Sequence, residues 1–482
     1  MDLNTESNIK PVYWLSFFTL IILAVLSLIA YKERTLFVDS SWFIVNMLHT
    51  KSFYFMEMRY GAFITQLGTI TAIRFGMDLK SILIIFSVSF YVFYLLSFWA
   101  IGVWMRQKKL AILFLLYLVL FISDGYFCTV GEIFQGITWM FLFFALYLQT
   151  RWRHNLWTHG LMIAFAFLSL ICHMIIWFPF AFMWLYLNLE QNKIHELIRQ
   201  KKFWIYSLIL LLFALTRYYV SNLGWYDSMK LEPVKNLSFS RILGAFKSGH
   251  AQTFLNLLKT NYWLVVSLGF VSILFMAIQK KYFQLVLYFV FVAGYFSLVC
   301  VVYPDGYDRN MLFYFENEWA PLAVIIAAPF VWHIFNYLHQ VRVLAAVFLV
   351  IFAIRLFFIF DAYLFFNNRF HNLKNLNESL YKSKIHKAII YVDEAEAKKY
   401  FVMDWGLPIE SLLLSALDAK KPNITFKTTP PDFIVRQPKD SFYSCFQIMP
   451  NSFLNQKYIQ IDSLQAYQPI PNIKTFNLKA NQ

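Results

Sequence analysis

The chain has 482 residues, 59% of them hydrophobic and only 14% charged, with a mean hydropathy of +0.53. A soluble domain carries about 25% charge, so this composition excludes an ordinary soluble enzyme. Long apolar runs recur from Pro11 to about Phe366 and specify a polytopic membrane protein. The net charge of +15 does not mark a nucleic-acid binder, because Lys and Arg lie between the apolar runs and in the tail. There they set topology and attract anionic membrane lipid.

The first predicted span is about Val12–Ala30, long enough to stay as an anchor rather than be cleaved. The stretch from Arg34 to Gln66 follows, RTLFVDSSWFIVNMLHTKSFYFMEMRYGAFITQ. It is too polar to cross a bilayer and too aromatic for a solvated loop. Ser40 reads as the N-cap of a short surface helix with Val45, Met47 and Leu48 on one face. Tyr60–Phe75 is apolar but interrupted by Gly61, Gln66, Gly68 and Arg74, and reads as juxtamembrane. Further spans are expected at about Leu79–Met105, at Leu110–Ser123, and from Glu132 to the RWRH cluster at Arg151. Two more share Leu156–Leu189, broken near His173, and another covers Phe203–Asn222. A second long polar loop, Gly224 to Asn261, precedes spans ending near Ile278, Val302, Leu338 and Phe366. The total is about 11 transmembrane helices by this count of apolar runs.

The basic connections RQKK, RWRH, Lys193–Lys202, QKK and HQVR all fall inside if the N-terminus is cytoplasmic. Both long loops and the tail then lie outside. If Tyr60–Phe75 crossed the membrane, every later cluster would flip. From Asn367 the apolar runs shorten. Lys387–Val392, Ile424–Lys427, Phe442–Gln447 and Tyr458–Ile461 read as strands, and Pro408–Ala419 as a helix with Pro in its first turn. The expected architecture is an all-α polytopic membrane protein with a small C-terminal α/β extracytoplasmic domain. Residues 1–366 form the membrane part, with a catalytic outer loop at 31–78, and residues 367–482 the outer domain.

Chemistry-bearing residues gather at the outer span ends: Asp39, Glu57 and Arg59, then Asp124, Glu132 and His173. Asp305, Asp308, Arg309, Glu316 and Glu318 come from the loop before the tenth span. Acids and cations at a water–lipid boundary suit a phosphate-bearing lipid headgroup: Arg forks hold phosphate and Asp takes a proton from a hydroxyl. The plain alternative is solvated loop charge, and it weighs most on Asp305, Asp308 and Glu318. Glu132 sits at an apolar run, where an ionisable side chain is expensive. Arg217 and Arg355 read as snorkelling cations or partners of a buried acid such as Asp361. Cys128, Cys172, Cys300 and Cys445 have no metal spacing and read as buried thiols, with pairing of two outside the cytosol as the alternative. No Walker A, HExxH or GxSxG motif is present.

This layout resembles the GT-C class of integral-membrane glycosyltransferases, which includes the protein mannosyltransferase and aminoarabinose transferase-like families. The likeness rests on the first span, the acid in FVDSSW at Asp39, the juxtamembrane stretch ending RYGAFITQ, the short second outer loop leading to Glu132, and a many-span body with an outer C-terminal domain. The resemblance implies a sugar moved from a polyprenyl-phosphate donor to a lipid, glycan or protein acceptor, in a bacterial inner (plasma) membrane. It makes Asp39 the catalytic base. Arg59 and Arg309 would neutralise the leaving phosphate, and Glu57, Glu132 and His173 would position substrate. Many members carry a second acid beside the first, but here Ser40 and Ser41 follow Asp39. No metal site or cofactor is therefore specified, and a divalent ion would lack its second carboxylate. A transporter or flippase of lipid-linked glycan, and a cell-envelope assembly protein without catalysis, are the alternatives. A transporter needs a polar path to the cytoplasmic side, where the inner span halves are almost wholly apolar.

Overall fold

The computed structural model describes residues 3–149, 156–433, 438–476 and 478–481. The basic cluster Arg151-Trp152-Arg153-His154 lies outside them. The chain opens with α1 (Leu3–Ile29), then the short α2 (Tyr31–Thr35) and α3 (Val38–Thr50). Two 3-10 turns lead to α4 (Leu67–Arg74), whose 8 residues rise about 12 Å, so the Tyr60–Phe75 stretch is too short to cross a bilayer. Asp78 caps α5 (Leu79–Trp99), accepting the Ser81 N–H at 3.0 Å, and a π turn extends the helix to Trp104. Then come α6 (Lys108–Leu120), α7 (Glu132–Leu148), α8 (Leu156–Cys172) and α9 (Trp177–Gln191). α10 (Ile194–Arg199) leads into α11 (Lys201–Ser221).

The expected polar loop at Gly224–Asn261 is instead three helices, α12 (Trp225–Lys235), α13 (Phe239–Ala245) and α14 (Gly249–Thr260). Ser238 and Ser248 start the last two by accepting the N–H groups of Arg241 and Ala251, each at 3.2 Å. α15 (Trp263–Ile278), α16 (Tyr282–Val302), α17 (Leu312–Tyr337) and α18 (Val341–Lys382) complete the apolar part.

Among the described residues six helices are long and apolar enough to cross a membrane, or seven if the pair bent by 86° at Asn261–Tyr262 is one span. These fit an integral membrane protein. The count falls short of the expected eleven because α6 to α9 have only 13 to 17 residues. Such helices rise roughly 20–26 Å, against about 30 Å of hydrocarbon. α6 is apolar all round, and every residue from Leu110 to Leu120 is buried. With α17, 94% buried over its most apolar window against 22% for α11, it forms the centre of the bundle. Arg355, fully buried on α18, neither snorkels nor pairs with Asp361. Its guanidinium donates to the carbonyls of Val119, Ile122 and Asn261 at 2.9, 3.0 and 2.6 Å, satisfying the end of α6. All four cysteines are free thiols.

α18 passes the expected boundary at residue 366 without a break. Beyond it a parallel sheet forms in the order β2 (Thr425–Thr429), β1 (Lys387–Tyr391), β5 (Gln468–Ile470). α19 (Glu394–Phe401) and α20 (Leu407–Leu417) supply the crossover that parallel β1 and β2 require. The expected strand at Phe442–Gln447 is a hairpin of β3 (Ser441–Tyr443) and β4 (Ile448–Pro450). Tyr458–Ile461 makes only an isolated bridge from Ile461 to Asn423.

This C-terminal region packs on the segment around Asp39. Asn455 donates to the Leu48 carbonyl at 2.7 Å, and the His49 and Phe453 rings stack at 4.1 Å. Lys457 and Tyr458 reach the carbonyls of Gly76 and Met77 at 2.6 and 3.0 Å. Hence α3 is not a surface helix: Ser40 through Leu48 are buried. Nor is Ser40 its N-cap. Phe37 holds that place, Ser40 bonds Thr129 through their hydroxyls, and Ser41 donates to the Val38 carbonyl at 2.7 Å.

Candidate functional site

Asp39 lies in the first turn of α3, where the helix dipole favours an anion. Glu132 opens α7 in the same way. The segment between α3 and α4 turns sharply, with Glu57 and Met58 at φ of 50° and 54°, and presents Arg59. His173 fills the break between α8 and α9, its Nδ1 accepting the Ile175 N–H at 3.2 Å. Asp39, Glu57, Arg59, Glu132 and His173, predicted from separate outer segments, all line one cavity of about 310 Å³.

Arg309 does not. It pairs with the buried Asp124 and lies 4.2 Å from the Phe365 ring centre, away from the cavity. Its charge is used to hold the second outer loop. Glu316 has a related task, accepting N–H bonds from Ser123 and Gly125 at 2.8 and 2.6 Å. Asp305 and Asp308 also lie outside the cavity lining, and Asp308 caps the turn before α17.

The cations of the cavity and the groove beside it are largely committed. Arg59 reaches Glu132 at 3.3 Å and Asp227 at 2.6 Å. Arg217 pairs with the other Asp227 oxygen and donates to the Glu57 carbonyl at 3.0 Å. Glu57 lines the cavity, yet its carboxylate accepts the N–H groups of Tyr226 and Asp227 at 3.3 and 3.5 Å, closing the start of α12. The Glu57 carboxylate lies so close to Gly224 that a Cβ there would displace it. Asp227 is held below the usual carboxylate range: burial pushes it up, but Arg59, His173 and Arg217 outweigh that.

Asp39 is different. Its carboxylate is part-exposed to the cavity and accepts no hydrogen bond among the described residues. Burial and the neighbouring Glu132 push its pKa up to about 7, against the opposing pull of Arg59. A carboxyl that titrates near neutrality, without a partner, can take up a proton. Among the described residues no group of three or more His, Cys, Asp or Glu could hold a metal ion.

An apolar groove of about 370 Å³ adjoins this cavity, sharing His173, Tyr226 and Tyr303 with it. Leu211, Leu215, Leu298 and Val302 of α11 and α16 form its sides. Lys230 lines the groove, its ammonium 4.3 Å from the Tyr303 ring centre and in no ion pair among the described residues. Burial lowers its pKa, while Glu318 and Asp305 oppose the shift.

Sequence reading missed Tyr226 and the C-terminal Trp405 and Phe446, which also line the cavity, and Asp227 and Lys230, which line the adjoining groove. Asp227 and Lys230 carry a local signal, being charges on the apolar pattern of α12. Trp405 and Phe446 carry none, because their proximity to Asp39 is made by the whole fold. Glu318, read as a loop charge, lines the cavity; one carboxylate oxygen accepts the Tyr307 hydroxyl at 3.0 Å and the other lies 3.7 Å from His250 Nε2 without a hydrogen bond. The chain matches no family model, no curated protein and no solved structure, so its site is read from its own geometry.

Proposed function

We propose that the protein is a membrane glycosyltransferase that moves a sugar from a polyprenyl-phosphate donor to an acceptor on the extracytoplasmic face, with inversion. The observation that carries this reading is the unpartnered Asp39 carboxylate in a cavity that also holds Arg59, Glu132 and His173 and that adjoins an apolar groove. A soluble sugar donor needs no such groove, whereas a polyprenyl chain needs an apolar bed beside the reacting centre.

Asp39 accepts the proton of the attacking hydroxyl as its oxygen bonds to the anomeric carbon. The bond from that carbon to the phosphate oxygen breaks, and the phosphate leaves with the electron pair. Lys230 meets the developing charge, since Arg59 and Arg217 are already shared by Glu132 and Asp227. Arg309, engaged by Asp124, has no part in this step. His173, at the junction of cavity and groove, and Glu132 border the sugar's path.

The test is transfer of labelled sugar from a panel of polyprenyl-phosphate sugars in reconstituted membranes. Asp39→Asn keeps the shape and removes the base, so transfer falls by about 10²–10⁴-fold, with donor binding retained. Full transfer by Asp39→Asn sinks the assignment. Lys230→Ala raises the KM for donor more than Lys230→Arg does.

A further inference from the structure

The backbone that carries Asp39 is held from the far end of the chain. Val38 has φ +34°, in the left-handed region that a β-branched residue avoids. Three contacts hold the residues beside it. The Val38 N–H donates to Glu410 Oε1 of α20 at 2.7 Å. Arg369 of α18 donates to the Leu36 carbonyl at 2.8 Å and lies 4.7 Å from the Phe37 ring centre. Arg369 and Glu410 pair with each other, and both are fully buried. Gly406 seals the contact: a Cβ there would lie 2.5 Å from Glu410 Oε1 and 3.0 Å from Val38 Cα.

A buried ion pair is costly to assemble and is weak evidence for stability alone. Here both its members bond the backbone leading into one strained residue, Glu410 at the Val38 N–H and Arg369 at the Leu36 carbonyl, and the next side chain is Asp39. We propose that Glu410, oriented by Arg369, is a positioning residue for Asp39: it holds Val38 in the left-handed conformation that aims the Asp39 carboxylate into the cavity. The C-terminal region is thereby part of the catalytic apparatus. The inference rests on the glycosyltransferase reading only for its kinetic consequence.

Two measurements on the full chain in lipid nanodiscs test it. Glu410→Gln keeps the size and one acceptor but sets an amide N–H₂ against either Arg369 or the Val38 N–H. Hydrogen–deuterium exchange of peptides covering residues 36–41 should then quicken at least tenfold, with α6 and α17 unchanged. In the transfer assay kcat should fall by about 10²-fold, the scale of a 1 Å misplacement, with KM for donor unchanged. Val38→Gly supplies the readout that a merely structural role would not move. Glycine takes φ +34° without steric cost, so Val38→Gly added to Glu410→Gln should restore kcat at least fivefold. Unchanged exchange in Glu410→Gln overturns the clamp, as does a double variant no better than Glu410→Gln alone. Full activity of Asp39→Asn overturns the glycosyltransferase reading instead, and leaves the exchange result standing.

Discussion

Asp39 combines two properties that ordinarily oppose each other, burial beside a second acid and access to a cavity. The cost appears as a titration. Its folded-state pKa, about 7, lies above the ordinary 3.8. Between these values a rising pH strips the proton from the unfolded chain before the folded one, so stability falls across that window and is flat above it. Asp39→Asn removes the effect. Its melting temperature should match that of the parent near pH 4 and exceed it above pH 7. The gain is at most about 4 kcal/mol, less what cavity water returns to a part-exposed carboxylate. Transfer should move the opposite way, rising with pH through about 7 as the base ionises. A variant equally stable at both pH values would mean that Asp39 is ionised throughout. Arg59 is answerable by the same logic. It spans Glu132 and Asp227 at 3.3 and 2.6 Å, and a lysine point charge cannot serve both. Arg59→Lys should cost about 1–2 kcal/mol in denaturation. Arg59→Ala leaves buried acids unpaired and should cost about 3–5 kcal/mol.

At the scale of elements, the site depends on helices whose character was unevenly legible. Spans such as α5 and α16 declare themselves by unbroken apolar length, and β1 and α20 by strand and cap chemistry. The α12–α14 segment does not, because Gly224, Pro233, Gly244 and Gly249 punctuate it and its charge suggests a loop. Yet Ser238 and Ser248 cap helices there, and α12 carries Tyr226 to the cavity and Asp227 and Lys230 to the groove. The same helices expose Trp225, Met229 and Phe239 at 66, 58 and 76%, with Lys235, Arg241 and Lys247 among them. Aromatic and aliphatic residues edged by cations suit the headgroup layer of a bilayer. A nitroxide at Met229→Cys, in nanodiscs, should be relaxed more by lipid-soluble oxygen than by an aqueous nickel chelate. The reverse would place α12 in water and leave the groove without a lipid entrance. Arg309 marks the opposite failure of sequence reading: a cation in the right loop whose charge is taken by Asp124, which only three-dimensional pairing reveals.

For the whole molecule the governing question is which side of the membrane holds the cavity. The C-terminal region answers it, because Trp405 and Phe446 line the same cavity as Asp39. Wherever the tail lies, the site lies. The number of spans matters less than its parity. Among the described residues six helices are long and apolar enough to cross, or seven if the bent pair is one span, and the two counts put the tail on opposite sides; the seven-span count is the one that keeps QKK and HQVR on the side of the N-terminus. The short α6 to α9 add four crossings or none, so seven and eleven give the same side. If the N-terminus lies in the cytoplasm, as expected from the basic connections QKK and HQVR, an odd number of crossings puts the tail outside. A reporter fused after Gln482 that works only outside the cytoplasm should therefore be active, and one that works only inside should be silent. A cytoplasmic result would put Asp39, its groove and the acceptor on the inner face together. Transfer at the outer surface would then be excluded even if Asp39→Asn abolished activity, so this measurement bears on the reaction's location and the substitution on its chemistry.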